Sequence, residues 1–74
     1  MKGYKQQGGE RLNRIREVRK ERRLTQTELS QRANVTQPYL HDLELGRRGA
    51  KPETLERIAE ALGVEVSEIS GESA

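Results

Sequence analysis

The side chains with chemistry to offer gather between Gln26 and Arg48, in QTELSQRANVTQPYLHDLELGRR. Gln37, Tyr39, His41 and Asp42 place an amide, a phenol, an imidazole and a carboxylate on one short segment, and Arg47 and Arg48 close it with two permanent cations. A glutamine amide presents a donor and an acceptor side by side and can pair bidentately with the edge of adenine. Guanidinium groups hold phosphate. Such a set recognises rather than reacts: no nucleophile, base and acid stand in one constellation, and His41 has no obvious catalytic partner. The chain is expected not to be an enzyme. With no Cys and one His, disulfides and thiolate metal sites are excluded, no metal or other cofactor is expected, and a reducing, cytoplasmic setting is implied.

These side chains need a rigid support, and the sequence supplies two short helices joined by a turn. Leu29 and Ala33 are four apart and Leu40 and Leu43 three apart, each pair on one helical face, with Val35 between them to plug the angle. Thr25 followed by Glu28 fits a capping box, and Thr36 can cap the second helix. Asn34 is placed to enter the left-handed region in the turn. Two helices, a tight turn and a small residue in the bend describe a helix-turn-helix. Pro38 falls in the first turn of the second helix, where its missing N–H has no intrahelical partner to lose.

Around this pair the periodicity predicts helices over Glu10 to about Arg22, Gln26 to Ala33, Gln37 to Leu45, Glu53 to Leu62, and a short one near Ser67 to Ser70. The fold class is all-α, a compact bundle of four to five short helices. Arg23, where the first helix must end, stands at a position usually taken by glycine. Residues 1–9, MKGYKQQGG, read as a flexible tail, with a basic arm that touches DNA as the alternative; 10–70 form the domain; 71–74 should fray. A chain of 74 residues supports one small aliphatic core, burying roughly 60% of its unfolded surface. No apolar run is long enough to span a membrane.

Charge divides the chain. Residues 1–48 carry twelve Lys or Arg against six Asp or Glu, a net of +6, and residues 49–74 carry two against six, a net of −4. A basic first part bearing the two-helix unit matches the footprint of a protein that sets one face on phosphate, although many of these charges are expected to be ordinary solvated helix faces.

RIREVRKERRLTQTELSQRANVTQPYLHDLELGRR followed by TLERIAEALGV resembles the lambda-repressor-like, Cro-family helix-turn-helix, also called the xenobiotic-response-element regulator family. The likeness covers about Arg11 to Ile69. Ser30, Asn34, Arg23 and Ala50 depart from its usual Ala, Gly, Gly and Pro, which implies modest stability. The resemblance implies double-stranded DNA as partner, with base reading by the N-terminal positions of the second helix and by Asp42. It also implies an ion pair between Arg19 and Glu44 that braces that helix.

On this reading Gln37 is the leading base contact, with Thr36 and Pro38 beside it at the helix start. Tyr39 either meets phosphate or sugar or packs on the preceding helix. His41 is either solvated or a base or phosphate contact, and Asp42 either accepts from a cytosine amino group or repels phosphate and so filters sites. Gln26 and Thr27 direct donors at a phosphate from a helix N-terminus. Arg47 and Arg48 form a cationic clamp or else serve the end of their own helix. The expected function is sequence-specific binding of an operator by a small bacterial or phage-type transcriptional regulator. A homodimer is expected, joined through the fourth helix and Val64, Val66 and Ile69, and neither a membrane nor a small-molecule ligand. The alternative is a protein-interaction module, antitoxin-like or coactivator-like, on the same fold.

Overall fold

The computed structural model describes residues 13–70, and five helices with no strand occur among them: α1 Ile15–Glu21, α2 Gln26–Ala33, α3 Gln37–Glu44, α4 Pro52–Leu62 and α5 Val66–Ile69. The tail expected over 1–9, residues 10–12 of the first expected helix and the end expected to fray at 71–74 lie outside the described residues. Ile15, Val18, Leu29, Ala33, Leu40, Leu43, Ile58, Ala59, Leu62 and Ile69 form one core. Leu24, Val35, Tyr39 and Leu55 pack against it half-buried. α2 makes its most extensive contact with α4, so the two-helix unit rests on the acidic end of the chain.

Two expectations are corrected. The helix expected over Glu10 to about Arg22 is not continuous: Asn13 and Arg14 are non-helical and α1 opens at Ile15, because Asn13 diverts the backbone. The Asn13 side-chain oxygen accepts from the Ile15 N–H at 3.1 Å while its amide nitrogen donates to the Leu43 carbonyl at 2.7 Å. The Arg14 N–H goes instead to the carbonyl of Ile69 at 2.9 Å. Asparagine competes for backbone partners in this way and favours helix ends over interiors. Second, Ile69 is fully buried. Of the residues expected to join a dimer, Ile69 is thus withdrawn into the core, while Val64 and Val66 are half-buried and packed against it.

The first four helices share one exit. In each, a residue with positive φ turns the chain: Arg23 at 58°, Asn34 at 60°, and Gly46 and Gly63 at 76°. The next residue then reaches back five positions, Leu24 to Arg19, Val35 to Ser30, Arg47 to Asp42 and Val64 to Ala59. This is the Schellman pattern, in which the residue after the left-handed one usually adds an apolar clip. Leu24, Val35 and Val64 do so. At α3 that place belongs to the exposed Arg47. Arg23, without the freedom of glycine, costs about 1 kcal/mol in its left-handed turn.

Candidate nucleic-acid interface

Local chemistry fixes where α2 and α3 begin. Thr25 Oγ1 accepts from the Glu28 N–H at 3.0 Å and Glu28 Oε1 accepts from the Thr25 N–H at 2.9 Å, a complete capping box. That backbone N–H holds the Glu28 carboxyl below the ordinary carboxylate range. Thr36 Oγ1 accepts from the Tyr39 N–H at 3.2 Å, with Pro38 in the first turn as its fixed φ allows. Ser30, buried in α2, returns its hydroxyl to the Thr27 carbonyl at 2.8 Å, so the hydroxyl enters the core already satisfied.

Beneath the outer edge of α3 lies a buried ion pair. Arg19 Nε and Nη2 donate to the two oxygens of Glu44 at 2.7 and 3.0 Å, and Arg19 Nη1 donates to the Leu24 carbonyl at 2.9 Å. The Glu44 side chain is 1% exposed and that of Arg19 10%. A planar fork against a carboxylate fixes direction as well as distance. One guanidinium thus ties α1, the turn after it and the end of α3 together.

From Glu44 the network continues outward. Gln26 Nε2 donates to Glu44 Oε1 at 3.0 Å and lies 3.2 Å from His41 Nδ1, while Gln26 Oε1 accepts from Gln37 Nε2 at 2.6 Å. A carboxylate oxygen only accepts, so the Gln26 atom facing it must be the amide nitrogen; the oxygen is thereby turned to Gln37. Gln37 is exposed, and with one N–H committed to Gln26 it retains its carbonyl and a second N–H for another partner. Its amide is oriented by a chain of hydrogen bonds that starts in the core.

The other flank of α3 is cationic and open. Arg47 Nη1 and Arg48 Nε stand 3.7 and 3.9 Å from the Asp42 carboxylate, with their own side chains 67% and 56% exposed. The Arg48 guanidinium lies 5.3 Å from the centre of the Tyr39 ring, within cation–π range. Tyr39 itself is half-buried against the core. The two arginines therefore flank Asp42 at the surface.

The structure brings Gln26, Gln37 and His41 into one hydrogen-bonded group, gathers Thr36, Pro38 and Asp42 around a second recess with Tyr39 and Arg48, and leaves Thr27 exposed in the first turn of α2. Two contributions were not apparent in the sequence. Gln26 was assigned to phosphate alone and is also the hub between Glu44 and Gln37. Asn13 anchors the end of α3 through the Leu43 carbonyl. No short-range signal announces the hub, because Gln26 meets Gln37 and Glu44 only when α2 and α3 are packed.

The family model HTH_3, a helix-turn-helix, matches residues 15–69. The immunity repressor protein of Bacillus phage phi105 is 49% identical over 59 residues, which are 80% of this chain and 41% of that protein. The HTH-type transcriptional regulator DdrOP3 of Deinococcus deserti is 39% identical over 56 residues, 76% of this chain and 43% of that one. The chain thus spans less than half the length of these two relatives. Among solved structures, the restriction-modification controller protein C.AhdI from Aeromonas hydrophila superposes with a TM-score of 0.73 at 28% identity, covering 81% of this chain and 86% of that one. The clp gene regulator ClgR from C. glutamicum does so with a TM-score of 0.73 at 33% identity, covering 80% of this chain and 78% of that one.

Proposed function

The chain belongs to the HTH_3 helix-turn-helix family, and we propose that it reads double-stranded DNA with α3 in the major groove, as the operator-binding part of a transcriptional regulator. The relatives named above are regulators rather than enzymes. The observation that carries the reading is the anchored amide of Gln37: an exposed glutamine at the start of α3, held at 2.6 Å by Gln26, which is itself fixed by the buried Glu44. A glutamine already held in one geometry loses less side-chain entropy when it meets a partner, so the anchoring favours binding. An adenine edge, with one donor and one acceptor, is matched to the carbonyl and the N–H that Gln37 has left.

Phosphate contacts then set the register. Gln26 and Thr27 at the start of α2 face the strand on one side, and Arg47 and Arg48 clamp it on the other, releasing Asp42 as they do so. Asp42 filters sites by repelling phosphate or accepts from a cytosine amino group. Thr36 and Pro38 shape the approach, and Tyr39, its ring already engaged by Arg48, offers its hydroxyl. One unit of this size reads few base pairs, so occupancy of an operator uses two copies on half-sites about one helical turn apart. The parts of α4, Val64 and Val66 left outside the core are the surface for that pairing.

Two measurements test this. Enrichment of binders from a random duplex pool should yield a defined half-site, and Gln37→Ala should flatten the preference at one base pair. Sedimentation at micromolar concentration should give a dimer at least on DNA; a monomer both free and bound removes the pairing. Failure to bind any duplex at low salt favours a protein partner instead.

A further inference from the structure

We infer that His41 sets the selectivity of the Gln37 contact through Gln26, so that discrimination between sequences, rather than affinity for DNA as such, falls when the imidazole is protonated. The inference rests on the reading of Gln37 as the base contact.

The polarity of the hydrogen-bond chain makes the contact between Gln26 and His41 compatible with only one form of the ring. Gln26 Nε2 has two hydrogens: one goes to Glu44 Oε1 at 3.0 Å, and the other points at His41 Nδ1 at 3.2 Å. That contact is a hydrogen bond only if Nδ1 carries a lone pair, which requires the neutral ring with its proton on Nε2. A protonated ring places an N–H on Nδ1, so that two donors face each other. Gln26 cannot resolve the conflict by turning its amide over, because its oxygen would then face the Glu44 carboxylate. Whether the exposed His41 turns away or Gln26 withdraws, Gln26 loses one of the contacts that hold its amide, and the 2.6 Å contact to Gln37 is loosened with it. Gln37 then samples several rotamers and its bidentate geometry is no longer prepared.

The surroundings make the change electrically visible. His41 is exposed at the rim of a recess shared with Arg16, Arg19, Gln26, Glu44 and Leu45. Arg16 and Arg19 are cations contributed by α1, Gln26 is the neutral group from α2, and Glu44 on α3 is the one carboxylate, already engaged by Arg19. A charge gained by His41 is therefore not absorbed locally. It adds to a basic edge and strengthens attraction to phosphate of any sequence. Imidazole is the side chain whose charge ordinarily changes between about pH 5 and pH 8. When the ring gains its proton, selective and non-selective binding should move in opposite directions.

The test is selection from a randomised duplex pool at about pH 8 and about pH 5.5, either side of imidazole titration, with wild type, Gln37→Ala, His41→Asn and His41→Lys. Asparagine keeps an acceptor near the Nδ1 position and does not titrate; lysine is a donor and a cation throughout. Gln37→Ala identifies the base pair that Gln37 reads. At that pair the wild-type preference should fall roughly 2- to 10-fold at the lower pH, the worth of one neutral hydrogen bond. His41→Asn should hold its preference at both pH values, and His41→Lys should show the weakened preference at both. An equal fall in wild type and His41→Asn, or no fall in wild type, overturns the inference while leaving Gln37 as reader. If Gln37→Ala flattens no position, the reading itself fails and the inference with it. A readout independent of DNA separates these cases further. In the free protein, the side-chain amide resonances of Gln26 and Gln37 should shift together with the His41 titration, and Gln37 should cease to follow in Gln26→Ala. Amide resonances that ignore His41 also overturn the inference.

Discussion

Asp42 and Glu44 are two residues apart on α3 and both face arginine, but they do opposite work. Glu44 is 1% exposed and grips Arg19 at 2.7 Å, whereas Asp42 is 31% exposed and has Arg47 and Arg48 at 3.7 and 3.9 Å. The first pair is built into the fold, with two donors from Arg19 and one from Gln26 on the carboxylate oxygens. The second is a loose arrangement on the surface, where solvent and salt weaken it and a phosphate can replace the carboxylate. Burial thus decides which charges of a basic protein are structure and which are available to a ligand. Net charge alone does not.

The largest effect that tests this contrast is loss of the buried pair. Arg19→Ala and Glu44→Ala should each destabilise the domain by about 3–5 kcal/mol, since either leaves a buried charge without its partner. Denaturant melts check this, and a change of a few tenths of a kcal/mol in both would place Glu44 in the same class as Asp42. Next comes Gln37→Ala, expected to cost about 1–3 kcal/mol on a selected duplex, with unchanged melting. Arg47→Ala and Arg48→Ala should each lower the slope of log affinity against log salt by about 0.9 if each neutralises one phosphate. A stability loss in place of a slope change would mark them as structural. The smallest effect is that of Asp42→Asn on folding, within about 0.5 kcal/mol, accompanied by tighter binding to mixed-sequence DNA and poorer selectivity.

The capping box offers a control with a defined pH sign. The Glu28 carboxyl is depressed in the folded state by the Thr25 N–H. Its contribution is therefore complete above the unfolded carboxylate range and is lost as pH falls through the lower folded value. Glu28→Gln should flatten that part of the stability profile in acid melts.

What the sequence made legible follows the range of the interactions. The Thr25 and Glu28 box, the Thr36 cap and the left-handed turns at Arg23 and Asn34 involve partners within five positions, and each is written in a short motif. The core stripe was legible for the same reason, through its three- and four-residue spacing. The start of α1 was not, because it depends on Asn13 meeting Leu43 thirty residues away. Nor was the burial of Ile69, which depends on how far α5 folds back over α1. The Arg19–Glu44 pair was implied by resemblance and not by spacing, since twenty-five residues separate the partners. Gln26 was placed at the interface by its helix start, yet its place between Glu44 and Gln37 emerges only when α2 and α3 are packed.

The most direct test is the affinity of wild type and Gln37→Ala for a selected duplex and a mixed-sequence duplex, measured across a series of salt concentrations. If α3 reads base edges from a structurally anchored amide, wild type prefers the selected duplex. Gln37→Ala then loses roughly 5- to 100-fold on the selected duplex alone, and both proteins keep the same salt slope. Equal losses on both duplexes, or no salt-dependent binding to either, would contradict it.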